Sequence, residues 1–140
     1  MKASMTTLTL TDHRPSTDEA RAELVLTQRQ LRGCAVMFVC GEIDVATVEE
    51  LERAGTRLLE NAEGRVVLDL SETTSMDLHG ARATERLSRL ASDTGGRFVV
   101  VAVTPGVHRI LALASHPWLA VTGDLDTALE TVSDRAGASS

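Results

Sequence analysis

Ser75, Asp77 and His79 lie close together in "TTSMDLHG", residues 73 to 80. A hydroxyl, a carboxylate and an imidazole are the parts of a nucleophile, an orienting acid and a base in hydrolytic chemistry. The spacing argues against that use. Chain neighbours point in different directions, triads are assembled by the fold, and the sequence has no G-x-S-x-G nucleophile elbow. Asp77 is simpler to read as the cap of the amphipathic stretch "LHGARATERLSRLAS". A helix N-terminus offers unpaired backbone N–H groups and partial positive charge, which suit an anion or a phosphorylated side chain. His79, two positions past the cap, falls on the rim of that site, and Gly80 leaves room for a group to approach the backbone.

Other chemistries find less support. The strand-to-helix turns "CGEIDVAT", "LSETTSMDLHG" and "VTPGVHR" lack the glycine patterns of dinucleotide or phosphate-loop sites, so no cofactor is expected. His13, His79, His108 and His116 share no metal-ligand spacing, so no metal is expected. His108 reads as a surface residue, and "SHPW" as a turn placing Trp118 in the core. Cys34 and Cys40 fall in one predicted strand, which separates them by roughly 20 Å at the usual rise per residue. That is too far for a disulfide, and both read as reduced, small core residues.

The elements that must position the turn follow from periodicity. "LVLTQ" reads as a first strand, and Gly33 turns the chain into "CAVMFVCGEID", apolar on both faces. "TVEELERAGTRLLEN" is a predicted helix with a Thr47/Glu50 capping box and a stripe of Val48, Leu51, Leu58 and Leu59. "RVVLDL" is a buried strand ending at Leu70. The helix after the turn has the stripe Gly80, Ala83, Leu87, Leu90 and Ala91. "RFVVVAV" is a further strand, to Val103. Thr104 as cap and Pro105 at the first helical position open "TPGVHRILALA", with Val107, Ile110, Leu111 and Ala114 inward. "WLAV" reads as a short edge strand, and Asp124 caps "LDTALETV", with Leu125, Ala128, Leu129 and Val132 inward. Alternating strands and helices predict an α/β domain with a mixed, mostly parallel sheet flanked by helices.

Composition agrees with one small domain. The 140 residues are 43% hydrophobic, with net charge −6, two Phe, one Trp and no Tyr. That suits a globular core and disfavours nucleic-acid binding, which wants a basic face and stacking platforms. Lys2 is not followed by an apolar stretch, and the runs "CAVMFVC" and "FVVVAV" are too short to cross a bilayer. A cytoplasmic protein without membrane contact is expected. Residues 1–20 read as a disordered leader, 21–134 as the domain and 135–140 as a disordered tail.

"GEIDVATVEEL", "RVVLDLSETTSMDLHGA", "GGRFVVVAVTPGVHRILAL" and "LDTALE" occur in an order that resembles STAS domains, most closely the bacterial anti-sigma-factor antagonists. The resemblance covers roughly residues 24 to 133. It implies a non-enzymatic regulator of transcription that captures an anti-sigma factor, often a serine kinase, and so releases a sigma factor by partner switching. In that family the turn reads Asp-Ser-Ser-Gly or a close variant, and phosphorylation of the second serine ends binding. Here Asp77 and Gly80 match, both serines are missing, and His79 stands at the phosphoacceptor position. Arg82, Thr84 and Glu85 depart from the small or apolar residues usual after the glycine, whereas Asp44 matches the family's acidic position near the partner. The resemblance thus places Asp44, Ser75, Asp77, Leu78, His79, Gly80 and Arg82 at a partner surface, with Ser75 and Thr74 as fallback acceptors. Two alternatives stay open: an accessory or scaffold STAS subunit of a stress-signalling or lipid-transport complex, and a small hydrolase or phosphotransfer protein using His79 with Asp77 as orienter.

Overall fold

The computed structural model describes residues 6–9, 24–61, 64–114 and 119–133. The expectations for His13, His116, Pro117, Trp118 and the 135–140 tail lie outside them. The chain runs β1 (Thr6–Thr9), β2 (Val25–Leu31), β3 (Cys34–Ile43), α1 (Val48–Asn61), β4 (Arg65–Met76), α2 (Leu78–Asp93), β5 (Arg97–Val101), α3 (Pro105–Ala114), β6 (Ala120–Thr122) and α4 (Leu125–Ser133). Within the stretch read as a disordered leader, Thr6–Thr9 instead form the first strand of the sheet, paired antiparallel to β2.

The six strands lie in chain order, β1-β2-β3-β4-β5-β6. β1–β2 and β2–β3 are antiparallel, and β3 to β6 are parallel. That order decides where the helices go. Right-handed crossovers that always step in the same direction put every crossover helix on one face. Accordingly, the larger core packs Leu51, Leu58, Ala81, Leu87, Val107 and Leu111 of α1, α2 and α3 on Met37, Val39, Leu68, Leu70 and Val100. α4 follows the last strand and covers the other face, with Ala128, Leu129 and Val132 against Cys34, Val36, Val67, Val99 and Val101.

One nine-residue helix does not span that second face. β3 is therefore buried on both sides only in part, and Cys40, expected in the core, is exposed, while Cys34 is buried; both thiols are free. Strand β4 is the largest departure from the sequence reading. It continues past Leu70 to Met76: Val66 to Leu70 are buried without a break, and beyond them only Thr73 and Met76 are. The last six residues repeat every three positions because two register shifts interrupt the β3–β4 ladder, between Phe38 and Cys40 and between Gly41 and Glu42. Each bulge adds a residue to β4 and resets the side-chain alternation. Buried Asp69 supports the first one: its Oδ1 accepts hydrogen bonds from the Ser71 N–H at 2.8 Å and the Ser71 hydroxyl at 2.6 Å. A period-two search cannot see a strand of this kind.

Local caps also differ from expectation. The Thr47 hydroxyl does not close a capping box with Glu50. It donates to the Glu42 carbonyl at 2.9 Å and accepts from the Asp44 N–H at 3.0 Å. Thr104 does not cap α3 with its side chain; its hydroxyl donates across to the Thr73 carbonyl on β4 at 3.1 Å. β5 ends at Val101, two residues before the expected Val103, and Leu90 lies exposed rather than on the buried stripe of α2.

Candidate functional site

Asp77 joins β4 to α2. Its N–H donates to the Ile43 carbonyl at 3.1 Å, which ties the turn to the end of β3. Its backbone is extended, and Oδ1 accepts from the Gly80 N–H at 3.1 Å, the geometry of an N-cap. The other carboxylate oxygen, Oδ2, lies 3.4 Å from His79 Nδ1. Both side chains face solvent, 42% exposed for Asp77 and 61% for His79. A contact so open to water contributes little to stability.

Gly80 does not leave space for a visiting group, as the sequence reading held. It is buried, and a Cβ there would lie 2.6 Å from Ile43 Cγ2 and 2.7 Å from Met76 Cγ. The glycine lets the first turn of α2 sit on the ends of β3 and β4. Thr84, buried one turn on, donates its hydroxyl to the Gly80 carbonyl at 2.9 Å. The anchor of the turn is thus apolar and internal, and the surface it presents is Leu78, His79 and Arg82, all exposed.

The remaining candidates divide. Ser75 is exposed and pairs in register with Glu42. Thr74 is exposed too, but its hydroxyl donates to the Gly41 carbonyl at 3.3 Å. Asp44 is half-buried and spends Oδ1 on its own turn, accepting from the N–H groups of Ala46 at 2.9 Å and Thr47 at 3.2 Å. Asp44 and Asp77 belong to adjoining turns, linked through Ile43. The third turn at this end follows β5, and the Thr104–Thr73 bond holds it beside β4.

Beside Leu78, which the sequence reading had placed at the partner surface, these turns expose two apolar residues that it missed, Val45 and Val103. Val45 after β3 is 65% exposed, Leu78 after β4 41% and Val103 after β5 51%. The signal was available, since each follows a strand end beside a turn residue, but Val103 was read as strand and Val45 was passed over. As for catalysis, Ser75, Asp77 and His79 do not form a relay: the Nδ1 of His79 faces Asp77, and Ser75 bonds to neither. Among the described residues, no three His, Cys, Asp or Glu side chains come together to hold a metal. A shallow hollow lies instead along the outer face of α1, lined by Glu49, Glu52, Arg53, Thr56, Arg57 and Glu60. No described helix is long and apolar enough to cross a membrane.

No curated protein sequence matches the chain. An anti-sigma factor antagonist from Mycobacterium paratuberculosis is similar in structure, with 25% identity, a TM-score of 0.63, and 94% of this chain and 96% of that one covered. The Thermotoga maritima protein tm1081 superimposes with a TM-score of 0.65 at 18% identity, over 76% of this chain and 92% of its own. The anti-sigma factor antagonist SpoIIAA in its unphosphorylated form gives a TM-score of 0.61 at 19% identity, over 81% and 96%. These last two likenesses are of fold. The family model described as "Mlab, STAS domain" matches residues 26–117, well over half of the chain. With its sheet order, crossover helices and strand-end turns, the chain belongs to the STAS domain family.

Proposed function

We propose that this chain is a non-enzymatic anti-sigma-factor antagonist. It binds an anti-sigma factor of the serine-kinase type through the turns after β3, β4 and β5, and is not phosphorylated at position 79. One observation carries the reading: Val45, Leu78 and Val103 are exposed on three adjoining turns, with His79, Ser75, Asp44 and Arg82 among them. Large apolar side chains at one end of a sheet, interspersed with polar ones, are the composition of a protein-binding patch. Similarity to antagonists of known structure supports the kind of partner.

Position 79 then determines regulation. Imidazole has no hydroxyl for a serine kinase to modify, and a phosphoserine carries about −1.5 to −2 charges whereas histidine is neutral or positive. In charge, His79 resembles the unphosphorylated, binding-competent state, so the surface stays available to the partner. Ser75 is the better placed fallback acceptor, because its side chain is exposed and the Thr74 hydroxyl is already engaged.

The test uses the full chain as bait for an anti-sigma factor, followed by calorimetric titration of variants. His79→Glu sets negative charge where a phosphoserine would sit and should cost several kcal/mol of binding, against less than about 1 kcal/mol for His79→Ala. Equal affinities for wild type, Ala and Glu would remove this turn from the interface. Incubation with the kinase and ATP should leave position 79 without phosphate; label on Ser75 or Thr74 would show that the switch has moved along the strand.

A further inference from the structure

We propose that Thr104 is a positioning residue of the partner surface: its hydroxyl holds the turn after β5, and Val103 with it, against the far end of β4. The inference rests on the binding role argued above and names a half-buried residue on which that role depends. The need for such a residue follows from the lengths of the strands. The β4–β5 ladder ends at the pair Asp69 and Val101, because β5 stops there, while β4 runs on to Met76. Past that pair no ladder holds the chain after β5 to β4, although it carries Val103, 51% exposed, and the start of α3. A side chain takes over: the Thr104 hydroxyl donates to the Thr73 carbonyl at 3.1 Å.

The acceptor is itself anchored. Thr73 is 1% exposed, and its own hydroxyl donates to the Val39 carbonyl of β3 at 2.9 Å. A continuous link therefore runs from β3 through β4 to the third turn. The Thr104 hydroxyl also had a local alternative. Thr104 stands before Pro105 at the start of α3, and its carbonyl accepts the His108 N–H at 2.9 Å. That is the N-cap place, where a threonine side chain ordinarily accepts from the first turn of its own helix. Here the hydroxyl serves a carbonyl 31 positions away instead. Local rules of this kind are broken mainly where function requires a surface of one particular shape, and the turn held by this bond is the one that presents Val103.

The test removes the donor and keeps the shape. In the free, full chain, Thr104→Val should speed hydrogen exchange of the Ala102 and His108 amides, on either side of the turn, by about fivefold, the factor that one net hydrogen bond is worth. Amides of Val67 and Val99 in the sheet should keep their protection, and Thr104→Ser, which restores the hydroxyl, should return the turn to the wild-type rate. No change at either turn amide, or an equal loss across the sheet, overturns the proposal. The anti-sigma factor captured by the chain is then titrated in a double-mutant cycle with Val103→Ser. Thr104→Val should weaken binding about fivefold by itself and add nothing beside Val103→Ser, because its effect passes through that side chain. The same loss in both backgrounds overturns the positioning role while leaving the binding role intact. Capture of no anti-sigma factor overturns the binding role, and the positioning role with it, whatever the exchange rates show of the link itself.

Discussion

Two helices of this protein begin with nearly the same words, "DLHG" at α2 and "DLDT" at α4. Each aspartate caps its helix by accepting from the N–H three residues on, Asp77 from Gly80 at 3.1 Å and Asp124 from Thr127 at 2.7 Å. The second carboxylate oxygen separates them. At α4 it accepts the Thr127 hydroxyl at 3.1 Å, so the cap is closed on itself. At α2 the third residue is a glycine, pressed against Ile43 and Met76, and the spare oxygen faces the exposed imidazole of His79. One cap is complete and local; the other is anchored from inside and left open towards solvent. A residue that completes a cap has no further task, whereas a glycine that gives up that bond lets the turn seat deeply and present its neighbours outward.

Substitution at the third position should break the likeness most sharply. Gly80→Ala pushes a methyl into Ile43 and Met76, and overpacking of this kind typically costs about 1–3 kcal/mol. Thr127→Ala at the exposed counterpart removes one hydroxyl from the surface and should cost distinctly less. Urea denaturation of both variants checks the ranking, and an unperturbed Gly80→Ala would show that the close approach is not needed.

The caps come next. Asp77→Ala should destabilise by about 1 kcal/mol, the usual loss for an N-cap carboxylate. For Asp124→Ala the informative variable is pH. Hydrogen bonds from the Thr127 backbone and then its hydroxyl hold the Asp124 carboxyl below its ordinary range. A carboxyl whose pKa is lowered on folding stabilises the fold above its unfolded value, about 3.9, and loses that contribution as the pH falls through the folded value. Asp124→Ala should therefore unfold at a lower temperature than wild type near pH 7, and the gap should close as the pH falls below 4. A gap that persists in acid would mean that the carboxylate is not what stabilises this turn.

The smallest effect belongs to the outer edge of the same helix. Asp126 reaches Arg32 of the β2–β3 turn at 3.1 Å, and both side chains are exposed. Exposed pairs contribute about 0–1 kcal/mol and are screened by salt. Asp126→Ala should leave the thermal midpoint within a degree or two at 0.5 M salt. Arg32 carries a cost of its own, since it holds a positive φ of 54° beside Gly33 at 76°, a region in which residues other than glycine are strained.

What the sequence determines here is local. The apolar runs of β3, β4 and β5, the amphipathic periods of all four helices, the caps at Asp77 and Asp124 and the alternation that makes an α/β domain all depend on residues a few positions apart. The resemblance pointing to Asp77, His79 and Gly80 was likewise carried by short ordered stretches. Tertiary structure decided matters that depend on which surface ends up covered. Cys40 repeats the apolar pattern of Cys34, yet it is exposed because one short helix covers that face. β4 outruns its period because two bulges against β3 reset the alternation. Thr47 and Thr104 were eligible caps, but each hydroxyl found a carbonyl on a neighbouring strand or its end. Val45 and Val103 look like core residues until the three strand-end turns meet and leave them in water. Gly80 looked like an opening, and the packing of Ile43 and Met76 closed it. Local periodicity specifies that an element has an apolar side; only the completed sheet determines whether anything lies against it.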